Sequence, residues 1–344
     1  MKKFENENNI NSNRCMRMIE IRDLNKMYLD DAVALALNEY RQEAEKCKSL
    51  IRDNFESRIR YMLKELFENK HGKAAFLDNK LIGYISFFGP WDKVFGNVKG
   101  VFSPIGGSAF SGSDRGKLAS ILFEESSKEM AKEGICTFSL SRYAHDEEVG
   151  RSFIMNGFGI RCSDAVMKLR DRHIVDEMNT EIEIIELKGK EKNKIEDLKK
   201  GLTRHLSSAP AFYPTDISRF DEWFNDDDIR VIAAKDEENF VGYMAIRDRG
   251  GETFIFEHSS MYSICGAYVD ENYRGRKVAQ QILEYVCHIS ENEGKAYLGV
   301  DCETLNPTAL RFWGKYFESY TYSYSRRIDE RVIGYDDYLN QCWK

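Results

Sequence analysis

The chain has 344 residues, of which 42% are hydrophobic and 31% are charged, fractions typical of a folded protein and not of a disordered one. A chain of this length forms about two domains. The formal net charge is −7 and no strongly basic block occurs, so we expect no nucleic-acid partner. No run of about 18 apolar residues occurs, so we expect no membrane-spanning helix and no membrane partner.

The chain starts with a polar segment, residues 1–17, that is rich in Asn and lacks an apolar core. We interpret it as a mobile leader and not as a signal peptide. The 8 cysteines form no Cys-x-x-Cys pair, and no Cys/His cluster has the spacing of a zinc site. These features predict reduced thiols, a cytoplasmic location and no bound metal.

The first part of the chain shows a clear order of predicted elements. A short alternating strand is followed by two helices, a group of strands, a long helix, a strand, a further helix and a last strand. The opening strand, the three predicted helices and the strand that follows them lie at 19–21, 30–47, 53–69, 119–134 and from Ile135.

The same order returns about 160 residues later. The strand at 182–184 repeats the opening strand, the Gly-Tyr pair at 242–243 repeats the pair at 83–84, and the helix at 280–294 repeats the helix at 119–134. Two further helices are predicted at 190–206 and 216–225, and a strand from Ala296. A period this long indicates a duplicated domain and not a solenoid. Alternation of strands with single helices indicates layered sheets.

The chain is therefore predicted to have four segments. They are the leader at 1–17, an N-terminal domain at 18–170, a charged linker at 171–181 and a C-terminal domain at 182–344.

The loop before the helix at 280–294 is the most informative local feature. An apolar strand from Ile264 to Val269 runs into a turn with two small residues, Gly275 and Ala279, among basic ones. A helix N-terminus with small residues and cations is suited to hold a diphosphate. The alternative is an ordinary strand-to-helix turn with solvated arginines.

The second half resembles the GNAT superfamily of acyl-CoA-dependent N-acetyltransferases. The family signature, Arg/Gln-x-x-Gly-x-Gly/Ala after a strand, falls on Arg274, Lys277 and Ala279, and the family's later Asn and Ala fall on Asn306 and Ala309. The resemblance covers about residues 182–335 and, more weakly, 18–170. It implies an α+β protein with α/β/α layers, made of two tandem GNAT folds, each a mostly antiparallel mixed sheet with helices on both faces.

The resemblance implies acetyl-CoA as cosubstrate, with the pyrophosphate on the loop amides and the pantetheine arm along the preceding strand. The residues that it assigns to the coenzyme are Ala267, Tyr268, Val269, Arg274, Gly275, Arg276, Lys277, Val278, Ala279, Asn306 and Trp313.

Two positions depart from the family pattern. Lys277 replaces the middle glycine, which we expect to be tolerated if its φ angle is negative. Trp313 replaces the tyrosine that often acts as general acid, and an indole N–H cannot release a proton at neutral pH. Tyr316, one helical turn further on, is the candidate acid, or else a core aromatic.

The corresponding loop of the first half has lost most of the signature. Ser113 stands at the arginine position, Leu118 at the last small position, and Asp114 adds a negative charge. We therefore expect one coenzyme A site per chain, in the second half. We interpret the first half as a degenerate domain that walls the acceptor cleft.

The candidate general bases lie on the predicted strand that starts at Ala296. Asp301 is the first candidate and Glu303 the second, because the resemblance places an acidic residue near here, facing the acceptor; a charged strand end is the alternative. Glu257 and His258 form another acid–imidazole pair. His205 lies where family members often line the acceptor pocket, although a lone histidine is more often structural.

The resemblance implies an N-acetyltransferase that moves an acetyl group directly to a small-molecule or peptide amine, as a monomer or homodimer. Two alternatives stay open. One is an aminoacyl transferase for cell-wall peptides, since those proteins also pair two GNAT-like domains. The other is a non-catalytic acyl-CoA-binding sensor or interaction module.

Overall fold

A computed structural model describes most of the chain. The described residues are 19–93, 97–174, 181–210, 224, 226–251 and 253–342. The predicted leader, most of the predicted helix at 216–225 and the middle of the predicted linker lie outside them.

The first half follows the predicted order of elements. Its strands and α-helices are β1 (Glu20–Asp23), α1 (Leu29–Lys46), α2 (Glu56–Asn69), β2 (Gly72–Leu77), β3 (Lys80–Ser86), β4 (Phe88–Trp91), β5 (Lys99–Ser103), β6 (Ser108–Phe110), α3 (Arg115–Lys132), β7 (Ile135–Tyr143), α4 (Glu147–Met155) and β8 (Gly159–Lys168).

The second half repeats this order, and it starts its first helix with a 3₁₀ segment at Gly189–Ile195. Its described strands and α-helices are β9 (Ile182–Leu187), α5 (Glu196–Leu206), β10 (Ile229–Asp236), β11 (Asn239–Asp248), β12 (Met261–Val269), α6 (Val278–Asn292), β13 (Tyr297–Glu303), α7 (Pro307–Trp313), β14 (Glu318–Arg327) and α8 (Tyr335–Cys342). None of the described helices is long and apolar enough to cross a membrane.

Two mixed sheets carry the helices. One has four strands in the order β1-β2-β3-β6, and the other has ten strands in the order β4-β5-β7-β14-β8-β13-β12-β11-β10-β9. Most pairs are antiparallel, and β5 with β7 and β12 with β13 are the parallel pairs among the described strands. The predicted α+β class is confirmed.

The two halves exchange partners at the centre of the large sheet. The last strand of the first half, β8, pairs with β13 of the second half, and the last strand of the second half, β14, pairs with β7 of the first half. In this register Asp164 lies opposite both Asp301 and Thr321. A strand of the first half therefore borders the strand that carries Asp301.

The parallel pair of the second half separates along its length. Residues 261–264 of β12 pair with 297–300 of β13. On its other edge β13 pairs with β8 over 297–303, so 301–303 have β8 as their partner and no residue of β12. Residues 266–269 of β12 pair only with β11 among the described strands. One edge of this part of β12 thus faces a gap in the sheet, and its backbone groups there are available to a ligand.

Helix α6 is held beside this gap by an apolar stripe. Val278, Ile282 and Val286 recur every four residues and are buried against the sheet. Gly242 of β11 lies below the helix, where an added Cβ would come within 3.3 Å of Ile282 Cδ1. Gly83, in the matching pair of the first half, would bring a Cβ within 2.9 Å of Leu118 Cδ2 of α3. The repeated glycine thus lets the matching helix pack closely in both halves.

Candidate acyl-CoA site

A cavity of about 270 Å³ lies at the gap between β12 and β13. It is bounded by the end of β12, the start of α6, helix α7 and the end of α5. Its walls include every residue assigned to the coenzyme from the sequence except Arg276, together with His205 and Tyr243. The lining residues are Leu202, His205, Tyr243, Met244, Ala267, Tyr268, Val269, Tyr273, Arg274, Gly275, Lys277, Val278, Ala279, Gln280, Asn306, Thr308, Ala309, Phe312 and Trp313.

The start of α6 presents backbone donors to this cavity. Gln281 N–H donates to Lys277 O at 3.1 Å, which begins the helical hydrogen-bond pattern. The amides of residues 278–280 precede that bond and have no partner within the helix. Together with the helix dipole they make this end of the cavity suited to an anion.

The turn before α6 is fixed by its own side chains. The Asp270 carboxylate accepts the Asn272 N–H at 2.9 Å, and the Tyr273 hydroxyl donates to Asp236 Oδ2 at 2.6 Å. The second bond ties the turn to the end of β10. The anion-binding end of the cavity is therefore held in place before any ligand arrives.

The three cations of the turn are placed differently. Arg274 Nε donates to Val269 O at 3.3 Å, and its guanidinium lies 5.5 Å from the Tyr268 ring. The Arg276 guanidinium lies over the Tyr273 ring at 4.9 Å and does not line the cavity. Among the described residues, the arginine and lysine side chains at the cavity wall are thus those of Arg274 and Lys277.

The backbone of Lys277 does not meet the condition that we set for lysine at the glycine position. That condition was a negative φ angle, and the observed angle is +62°, in the left-handed region. A non-glycine residue there costs roughly 1–2 kcal/mol. The turn therefore keeps the left-handed geometry of the family's glycine, and the lysine adopts it.

Asn306 connects the two helices on the other side of the cavity. Its Oδ1 accepts the Ala309 N–H at 3.2 Å, which caps α7, and it also contacts His205 Nε2 at 3.1 Å. Because an amide oxygen only accepts, Nε2 of His205 carries the proton in this bond. His205 therefore lines the cavity and also bridges α5 to α7.

The aromatic residues of α7 divide between the cavity and the core. Trp313 lines the cavity and packs edge-on against Phe317, with ring centroids 5.5 Å apart. Tyr316 packs against Phe312 at 5.3 Å and is not among the lining residues.

The two candidate carboxylates lie on β13 beyond the point where β12 leaves it. Asp301 is exposed, and Glu303 forms an ion pair with Arg161 Nε at 3.2 Å. Burial raises the pKa of the Cys265 thiol to about 12, and the charge of Asp301 adds to that shift. Asp301 is thus close enough to Cys265 of β12 to act on its charge, although it does not line the cavity.

The pair at 257–258 is located elsewhere. His258 Nε2 contacts Asp53 Oδ2 at 2.9 Å, and its Nδ1 contacts Ser260 Oγ at 2.7 Å. The contact with Asp53 joins the second half to the loop before α2. Neither Glu257 nor His258 lines the cavity.

Tyr243 is a cavity residue that the sequence reasoning did not select. It is fully buried, and its hydroxyl has no hydrogen-bond partner within the described part of the chain. The repeated Gly-Tyr pair was the available signal, but we had used it only as evidence of duplication.

The corresponding region of the first half is filled by charged side chains. Arg142 is fully buried and donates to Glu39 Oε1 at 2.8 Å and to Asp146 Oδ2 at 2.7 Å. The Phe110 N–H also donates to Glu39, at 2.9 Å. At the start of α3, the Gly116 N–H donates to Glu148 at 2.9 Å. The cavity that remains measures about 20 Å³.

No described group of three or more His, Cys, Asp or Glu side chains is arranged to hold a metal ion.

Comparison with known proteins identifies the domain around the cavity. The family model described as "Acetyltransferase (GNAT) family" matches residues 197–318. No curated protein sequence matches the chain.

Solved structures show the same fold over most of the chain. A GCN5-related N-acetyltransferase from Sphaerobacter thermophilus has a TM-score of 0.57 at 14% identity, covering 90% of this chain and 95% of its own. A GCN5-related glucosamine N-acetyltransferase region in a fungal multi-domain GH3 β-N-acetylglucosaminidase has a TM-score of 0.55 at 14% identity; the match covers 92% of this chain but 39% of that one. A tandem GNAT protein from the clavulanic acid biosynthesis pathway has a TM-score of 0.46 at 12% identity, covering 90% and 98%.

The family match confirms the predicted resemblance in the second half, and the likeness to the Sphaerobacter thermophilus structure over 90% of the chain confirms the predicted fold class.

Proposed function

We propose that this chain, whose second half carries a GNAT acetyltransferase domain, is an acetyl-CoA-dependent N-acetyltransferase. It moves an acetyl group directly to a small-molecule or peptide amine. The observation that carries the proposal is the cavity at the gap in the sheet, which joins the anion-binding start of α6 to the open edge of β12.

The residues at the cavity fit the coenzyme. The amides of Lys277, Val278 and Ala279 would hold the pyrophosphate, with Arg274 and Lys277 supplying positive charge and Arg276 nearby. The open edge from Ala267 to Val269 would bind the pantetheine arm in the way a neighbouring strand would. Asn306 and Trp313 form the opposite wall.

Acetyl transfer also requires loss of a proton from the amine and stabilisation of the oxyanion. We assign the base to Asp301 and place Glu303 second, because the family resemblance puts an acidic residue near here and Asp301 is exposed at the end of β13. A β12 amide near Val269 would polarise the thioester carbonyl. Tyr316 stays the proposed proton donor to the leaving thiolate, which requires its ring to turn away from Phe312.

We further propose a cytoplasmic enzyme that acts as a monomer or homodimer, with domains at 18–170 and 182–344. The described cysteines are all free thiols, which fits a reducing compartment.

A second candidate function is a non-catalytic acyl-CoA-binding module. Trp313 favours it, because an indole at the family's tyrosine position cannot donate a proton to the thiolate. An aminoacyl transferase is less well supported, because the turn before α6 keeps an anion-binding geometry.

A panel of amines tested with acetyl-CoA separates these functions, with free thiol as the readout. Thiol release that depends on an amine supports the transferase. Tight binding of acetyl-CoA without release from any amine supports the binding module. Absence of acetyl-CoA binding contradicts both.

A further inference from the structure

Two helices that lie on opposite faces of the large sheet meet at the cavity. Leu202 of α5 packs in the buried cluster that contains Tyr243. Trp313 of α7 packs in the cluster that contains Met244. Tyr243 and Met244 are neighbours on β11, so their side chains point to opposite faces of the sheet. The hydrogen bond between the end of α5 and the start of α7 therefore joins the two faces at the gap in the sheet.

The start of α7 contributes Asn306 to this bond, and its amide oxygen is fully used. The Asn306 Oδ1 accepts the Ala309 N–H at 3.2 Å and the Nε2–H of His205 at 3.1 Å. An amide oxygen has two lone pairs, so both are occupied. The Asn306 Nδ2 makes no hydrogen bond within the described part of the chain, and it is not sealed from solvent as the hydroxyl of Tyr243 is. Asn306 is 8% exposed and lines the cavity, so the cavity is where a ligand can reach this donor.

The first half has no such donor at the corresponding position. Asp146 precedes α4 as Asn306 precedes α7, each at the N-cap of its helix. The Asp146 carboxylate accepts hydrogen bonds from Arg142 and Arg115, and an ionised carboxylate has no proton to donate. The amide donor thus occurs in the half that has the larger cavity.

Building on the proposed function, we propose that His205 is a positioning residue for acyl-CoA binding. A flipped Asn306 amide would set its Nδ2 against two donors, the Ala309 N–H and the Nε2–H of His205. His205 thus helps to hold the amide in the orientation that leaves Nδ2 as a donor at the cavity. The ligand atom that Nδ2 contacts must be an acceptor, and the acyl-pantetheine arm supplies carbonyl oxygens. Asn306 makes the contact, and His205 acts through it.

The first test compares two substitutions of His205 by titration calorimetry of acetyl-CoA on the full chain. His205→Leu removes the donor to Asn306 and should bind acetyl-CoA about 2- to 10-fold more weakly, which corresponds to one lost hydrogen bond. His205→Gln keeps a side-chain N–H for the same oxygen, so it should bind acetyl-CoA with an affinity close to that of the wild type. A side chain that only filled space would not distinguish the two variants in this way.

The second test makes Asn306 resemble Asp146 of the first half. Asn306→Asp keeps an oxygen that caps α7 and accepts from His205, but it removes the donor. Asp and Asn cap helices about equally well, so the unfolding temperature should stay close to that of the wild type. Acetyl-CoA should bind about 5- to 100-fold more weakly, because the hydrogen bond is lost and the ligand oxygen faces an anion. Adding His205→Leu to Asn306→Asp should weaken binding no further, since His205 acts through the amide.

Four results would overturn the proposal. The first two are wild-type affinity for acetyl-CoA in Asn306→Asp and wild-type affinity in His205→Leu. The third is an equal loss of affinity in His205→Leu and His205→Gln, and the fourth is an additive loss in the double variant. If the wild-type protein itself bound no acetyl-CoA, the proposed function would fail first, so the two failures are distinguishable.

Discussion

The two halves of the molecule use the same order of elements but fill one region in opposite ways. In the second half, the start of α6 and the end of β12 border a cavity of about 270 Å³. In the first half, Arg142, Glu39 and neighbouring charges fill that region and leave about 20 Å³. The same order of elements is thus kept without the cavity where internal ion pairs fill the space.

Backbone N–H groups show how protein carboxylates fill this region in the first half. The Phe110 N–H of β6 donates to Glu39 in the first half, whereas the edge of β12 near Val269 faces the cavity. The start of α3 already binds a protein carboxylate, that of Glu148. In the first half the protein supplies its own anions where the second half leaves room for a diphosphate.

The largest expected effect concerns Asp301, the proposed base in the second half. Asp301→Asn should lower turnover by about 100- to 10,000-fold, as expected for loss of a general base, and change acetyl-CoA affinity far less. Steady-state rates at saturating amine measure the turnover, and titration calorimetry measures the acetyl-CoA affinity. Glu303→Gln is the matched control, with a smaller loss expected. A rate for Asp301→Asn equal to that of the wild type would remove this residue from the mechanism.

Disrupting the ion pairs of Arg142 should destabilise the first half without affecting the proposed coenzyme site. Arg142→Met leaves the buried Glu39 without its nearest cation, whereas Asp146 keeps its ion pair with Arg115. Breaking a buried pair in this way costs about 3–5 kcal/mol of unfolding free energy. Urea unfolding measures the loss. Acetyl-CoA affinity at temperatures where the variant is folded should stay unchanged. Wild-type stability of the variant would show that the network does not hold the first half together.

The smallest expected effect concerns the left-handed residue at the start of α6. Lys277→Gly should raise the unfolding free energy by about 1 kcal/mol by relieving its positive φ angle. Lys70, with a φ angle of 61° at the end of α2, is the matched control. Lys70→Gly should give a similar gain and leave coenzyme A binding unchanged, whereas Lys277→Gly should bind it somewhat more weakly through loss of the ammonium. Equal binding by both variants would show that the Lys277 side chain does not contact the phosphates.

Local patterns in the sequence predicted much of this architecture. The predicted helices at 119–134 and 280–294 correspond to α3 at 115–132 and α6 at 278–292, because an apolar stripe every three or four residues depends only on nearby residues. The turn before α6 could also be predicted from the sequence, because its small and basic residues are contiguous in the chain.

Features that depend on distant residues were not predicted. The exchange of β8 and β14 between the halves pairs strands that are far apart in sequence, and the residues of β8 do not reveal which strand they will pair with. The ion pairs of Arg142 and the unpartnered hydroxyl of Tyr243 follow from that three-dimensional packing. The φ angle of Lys277 was not predicted because the glycine preference of the turn is met here by a residue that usually avoids it.

The most direct test of the account is the stoichiometry of coenzyme A binding, measured by titration calorimetry on the full chain. We expect close to one site per chain. Ala279→Phe should abolish binding by filling the start of α6. The control Lys117→Phe, at an exposed position one residue before the corresponding Leu118, should leave binding intact. Two equal sites per chain, or binding that survives Ala279→Phe, would contradict the assignment of the coenzyme site to the second half alone.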